Sequence, residues 1–213
     1  MTKRAVLFAT MILVCIGTGF GQKPAPITVK VYFHNEKPQT RQLGPVKAVL
    51  DFLITDNSVG PVRLGTTVAQ ARRALRGFTL SRTSDGEGIA LIAVKRGKLI
   101  VMTLYAGEQN PRSRINERAK IEFIEVWDSR YHTAEGVHPK MPLPEVEQKY
   151  GKLKEIMVSE IEVREFATFV TQPAGFQWRV TNANGMAGIY SQGQNTTTRY
   201  TPSAYLKSIS ITS

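Results

Sequence analysis

The densest run of chemistry-bearing side chains lies between Trp127 and His138, which encloses Asp128, Arg130, Tyr131, His132 and Glu135. Asp128, His132, Glu135 and His138 carry the oxygen and imidazole donors of a metal site. Acid beside histidine would equally suit an exported hydrolase working by acid–base chemistry. The spacing matches no strong metal motif, and Gly136 and Pro139 place part of the run in a loop. The structural expectation is that Arg130 or His132 satisfies Asp128, with Glu135 and His138 in a solvated connection. Trp, Tyr and Arg also anchor protein interfaces, so the same loop reads as a contact surface.

Other chemistries find less footing. No Gly-x-Ser-x-Gly elbow and no Gly-rich phosphate loop occurs. Asp85-Gly86-Glu87-Gly88 lacks the ligand pattern of a calcium loop and reads as a hairpin turn. Glu160 and Glu162 beside Arg164 read as a solvated sheet face rather than a glycosidase pair. The single cysteine, Cys15, excludes an internal disulfide and any cysteine-based zinc cluster. These readings favour a non-catalytic protein with no cofactor and no resident metal.

Charge narrows the partners. The net charge is +11, with Arg72, Arg73 and Arg76 clustered on one predicted helix and Arg112, Arg114, Arg118 and Lys120 in the loop that follows the meander. Convergent cations would attract an acidic protein or an anionic envelope component. Nucleic acid is disfavoured, because no recognition motif with stacking aromatics appears. The residues expected to contact a partner are Arg112, Arg114, Trp127, Arg130 and Tyr131.

Residues 1–21 predict a signal peptide. Lys3 and Arg4 are followed by an apolar run from Ala5 to Ile16 and by small Gly17, Gly19 and Gly21. The run is short for a membrane span. Val14 stands where a bacterial lipobox keeps a small residue before its cysteine, so Cys15 is either lipidated or, as the departure favours, lost with the leader. The mature chain would then carry +9 and be periplasmic or secreted, with peripheral membrane contact or none.

Alternation predicts strands at 27–33, 78–82, 89–94, 99–105, 121–127, 156–161, 166–170, 176–180, 186–190 and 206–211. The 3.6-residue spacing predicts helices over 46–54, over 66–75 with Thr66 or Thr67 as cap, and over 141–150 with Gly151 as stop. The stretches 34–44, 107–120 and 128–139 read as loops. An offset of 75 places Val68 over Leu143, Ala71 over Val146 and Leu75 over Tyr150, which reads as an internal duplication. The expected fold is therefore α+β. A strand and helix over 22–62 precede two units, 63–127 and 128–213, each a helix packed on its own antiparallel sheet.

Met141, Val146 and Tyr150-Gly151, with Gly65-Thr66, Ala71 and Leu75 in the first unit, resemble the helix openings of beta-lactamase-inhibitor-protein-like domains. These also occur in bacterial outer-membrane assembly lipoproteins of the SmpA/OmlA type. Lys140 stands where that family has Gly, and the closing glycine of the first unit is delayed to Gly77. The resemblance implies binding, inhibition or assembly without catalysis. Val29 to Lys37 is similar to the opening strand of a GerMN domain, from which no function follows. Together the readings describe an exported, non-catalytic binding or assembly protein of the bacterial envelope. An inhibitor of a secreted enzyme is the other binding reading.

Overall fold

The computed structural model describes residues 28–31, 39–42, 52–160 and 163–213. The expected leader and its expected cleavage site, Cys15 and the greater part of the expected 46–54 helix lie outside them. The chain divides into two compact units, 1–46 and 47–213. In the first, strand β1 (Thr28–Val31) pairs antiparallel with β2 (Gln39–Gln42). β2 falls in a stretch expected to be loop.

In the second unit, residues 52–54 are not helical. Leu53 and Ile54 form single bridges to His132 and Val59, beside the short pair β3 (Ser58–Val59) and β4 (Val62–Arg63). Helix α1 (Val68–Ala74) opens on a capping box. Thr67 Oγ1 accepts from the Gln70 backbone N–H at 3.3 Å, and Gln70 Oε1 accepts from the Thr67 N–H at 2.8 Å. Strands β5 (Thr79–Ser84), β6 (Ala90–Arg96), β7 (Leu99–Tyr105) and β8 (Phe123–Val126) follow as an antiparallel meander. Helix α2 (Leu143–Tyr150) has prolines where the backbone N–H needs no partner, and it buries Leu143, Val146 and Tyr150. It leads into β9 (Leu153–Val158), β10 (Glu165–Phe169) and β11 (Phe176–Thr181), then the short β12 (Thr196–Thr197) and the closing β13 (Tyr205–Thr212).

The expected pair of α+β units is overturned. The protein is mostly β, with two short helices among the described residues and one nine-stranded sheet ordered β12-β9-β10-β11-β13-β8-β7-β6-β5. The last strand, β13, is inserted between β11 and β8, so no sheet boundary separates the two meanders. The reason is visible in β13 itself. Its Leu206, Ile209 and Ile211 are buried, and so are the intervening Ser208 and Ser210. A strand covered on both faces belongs in the middle of a sheet.

Cross-strand partners show which residues share a face. Val94, Met102, Val126, Ile209 and Trp178 follow one another across β6, β7, β8, β13 and β11, all essentially inaccessible. Together with the apolar sides of α1 and α2 they form the core. The expected strand over 186–190 does not form. Its backbone is held instead by the buried carboxylate of Glu165, which accepts from the Ala187 and Gly188 N–H groups.

Candidate functional site

The opposite phase of the same strands builds the second face. Thr103, Glu125, Ser210 and Gln177 stand directly beside one another across β7, β8, β13 and β11. Tyr105, Phe123 and Thr212 form the next row toward one end, and Ser208, Arg179 and Phe166 run toward the other. This face carries a cleft of about 850 Å³. A volume of that order suits a small-molecule or side-chain site.

The cleft combines apolar walls with a few placed polar groups. Tyr105, Phe123, Trp127 and Phe166 supply rings, and Leu91 and Ile100 supply aliphatic surface. Arg179 is the organising cation. Its guanidinium lies 5.6 Å from the Trp127 ring centroid and 3.7 Å from Glu125 Oε1. The same Glu125 oxygen accepts from Ser208 Oγ at 2.5 Å. The cation–π approach to the indole and charge pairing both bias the guanidinium's position. Arg164 reaches the cleft from the start of β10. Burial, with Arg179 and Arg164 nearby, pushes the Lys207 ammonium below its usual range, and Glu125 opposes the shift. Thr103 Oγ1 and Trp127 Nε1, both in residues of the cleft wall, have no hydrogen-bond partner among the described residues.

The residues singled out from the sequence are scattered. Trp127 is in the cleft. Arg112 and Arg114 are exposed in the 107–120 loop, whose backbone is tied to β5: Arg82 donates to the Ser113 and Arg114 carbonyls and pairs with Glu108. Arg72 is paired with Glu117 at 2.6 Å, so the first basic cluster is partly neutralised by the second loop. Arg130 holds Asp128 through two guanidinium nitrogens and lies over the Phe52 ring. Tyr131 is corrected outright. It is 1% exposed, packs edge-on against Phe52 and offers no surface to a partner.

The acid–histidine segment does not assemble a reaction centre. His132 and His138 each turn Nδ1 to a neighbouring backbone carbonyl, and neither bonds to Asp128 among the described residues. Glu135 accepts instead from Tyr150 Oη, which also meets Thr133 Oγ1, each at 2.7 Å. No three His, Cys, Asp or Glu among the described residues converge as metal ligands. Hydrogen bonding from Arg130 holds the Asp128 carboxyl below its ordinary 3.8. A depressed folded value stabilises above the unfolded value, and the contribution fades as pH falls through the folded one. Asp128→Asn should therefore lower stability at pH 7 by at most about 1 kcal/mol, because the Arg130 side chain is 40% exposed and water screens the pair. In urea titrations the two proteins should converge near pH 2. A gap unchanged at that pH would show the ion pair is not its source.

Sequence reasoning missed Thr103, Phe123, Glu125, Phe166, Gln177, Arg179 and Ser210. The available signal was the polar phase of strands whose apolar phase was recognised, as in Ser208 and Ser210 alternating with Ile209 and Ile211. Nothing local reveals that four such phases share one face.

No protein-family model matches the chain, and no curated protein matches it. Among solved structures, the crystal structure of the uncharacterized protein yfeY from Escherichia coli is similar. The TM-score is 0.51 at 11% identity, over 74% of this chain and 97% of that one. At that identity the likeness speaks to fold alone.

Proposed function

We propose that the chain is an exported, non-catalytic binding protein of the bacterial envelope, and that the open face of its nine-stranded sheet takes an amphiphilic anion. The observation that carries this reading is Arg179, held between Trp127 and Glu125 inside an aromatic-lined cleft. An anionic head meets Arg179 and Arg164 there, while an apolar body covers Phe123 and Phe166. Hydrogen bonds to a charged group contribute about 1.5–3 kcal/mol each, enough for tenfold or greater discrimination against a neutral head. Binding rather than turnover is supported by the hydroxyl–carboxylate pair of this face. Ser208 is only 1% exposed, so its hydroxyl has no path to a substrate. The leader read from the sequence supports export.

Titration of intrinsic tryptophan fluorescence with lauroyl lysophosphatidylglycerol below its micelle concentration tests this. The anionic lysolipid should bind at least about tenfold more tightly than lauroyl lysophosphatidylcholine. Phe166→Ala should weaken both, and Arg179→Gln should cut the preference severalfold, Arg164 retaining the remainder. Equal affinity for the two heads, or a preference undiminished by Arg179→Gln, would overturn the reading.

A further inference from the structure

The β6–β7 hairpin ends in the sequence Lys95-Arg96-Gly97-Lys98-Leu99-Ile100. Arg96 and Leu99 are paired, leaving Gly97 and Lys98 as a two-residue loop, and Gly97 takes the positive φ of 62° that such a loop asks of its first residue. The tight turn pushes side chains into solvent. Leu99 is 73% exposed and Ile100 45%, both among the most exposed large apolar residues described. Lys95, Arg96 and Lys98 surround them and make no ion pair among the described residues. No acid occurs between Glu87 and Glu108. Ile100 also lines the cleft, so the tip is continuous with the proposed site.

We infer that this tip docks the protein on an anionic lipid surface, with Leu99 and Ile100 entering the interface and the three cations meeting headgroups. The composition selects a membrane over a protein. Protein interfaces deplete lysine at their centres and favour aromatics, whereas this tip has two lysines and no ring. Cations beside an anionic leaflet contribute about 1 kcal/mol each, so three together amount to about a hundredfold in affinity. Two aliphatic side chains add a modest apolar contribution, and the pair of signals gives reversible rather than permanent attachment. No described helix is long and apolar enough to cross a membrane. The inference does not depend on what the cleft binds.

The test places an environment-sensitive fluorophore at Leu99→Cys in a full chain that also carries Cys15→Ser. The probe then reports the tip itself rather than the apolar leader. Vesicles of phosphatidylglycerol mixed with phosphatidylcholine should brighten the probe and shift it to the blue, and pure phosphatidylcholine should not. Lys95→Gln, Arg96→Gln and Lys98→Gln combined should raise the lipid concentration for half-response about a hundredfold, and added salt should do likewise. A probe at Thr198→Cys, exposed on another part of the chain, should stay unchanged. Silence of the tip probe on phosphatidylglycerol, or an unchanged response after removal of the three cations, would overturn the inference. Phe166→Ala should weaken lysolipid binding yet leave the tip response intact, so failure of one reading is distinguishable from failure of the other.

Discussion

Trp178→Ala should destabilise the protein by about 3–5 kcal/mol, read as a lower midpoint in urea at unchanged slope. The side chain is fully buried on the helix-side face of β11, between Ala167 and Ile209 in the neighbouring strands. Its ring stacks on Phe176 with centroids 5.4 Å apart and an interplanar angle of 9°. On the other side it meets Tyr150 of α2 at 5.1 Å. Removing the indole takes away the surface on which the helix rests. The cavity cannot collapse without moving α2, whose Tyr150 is itself tied to Thr133 and Glu135. The indole N–H has no hydrogen-bond partner among the described residues, so Trp178→Phe sacrifices volume but no hydrogen bond. That variant should lose less than half as much. Equal losses for the two substitutions would show that something other than packing holds this position.

Glu165→Ala should cost about 3 kcal/mol and loosen the segment after β11. The carboxylate is 4% exposed and accepts from three donors: Ala187 N–H at 2.5 Å, Gly188 N–H at 2.7 Å and Tyr190 Oη at 2.8 Å. Truncation leaves those donors without their acceptor, the Ala187 N–H in a fully buried position, and each unmet buried donor costs about 1–3 kcal/mol. Desolvation, the Glu165 hydrogen bond and the Glu165 charge all raise the Tyr190 hydroxyl above its usual value. Gly188 lets the Tyr190 ring fold back over the backbone, since a Cβ there would lie 2.6 Å from the ring. Amide exchange at Ala187 and Gly188 should accelerate in Glu165→Ala far more than exchange in β6 and β7. Uniform acceleration across the sheet would mean that the carboxylate supports global stability rather than this segment.

The segment at 186–190 shows where local pattern fails. Its alternation reads as a strand, yet the Ala187 and Gly188 N–H groups go to a carboxylate more than twenty positions earlier, and only a single bridge, from Gly188 to Tyr200, forms. Tyr131 fails for a related reason. In a polar loop an aromatic looks available for contact, but the parallel bridge from Leu53 to His132 draws the loop against Phe52 and buries the ring. The helices were legible because their spacing is self-contained. Leu143, Val146 and Tyr150 lie on one side of α2 whatever surrounds it, and all three are buried.

By itself the sequence determined the periods of α1, α2 and most of the strands, an N-cap at Thr66 or Thr67, the stop at Gly151, and the excess of positive charge. Each depends on neighbours a few positions apart, or on composition. Tertiary structure alone decided that β13 returns between β11 and β8 and joins two meanders into one sheet. It thereby brought Thr103, Glu125, Arg179 and Ser210 onto one face. A strand's pattern states which side chains share its face. Which strand lies beside it depends on pairing between segments more than 80 residues apart, as when Ser208 meets Glu125, and no local regularity encodes that choice.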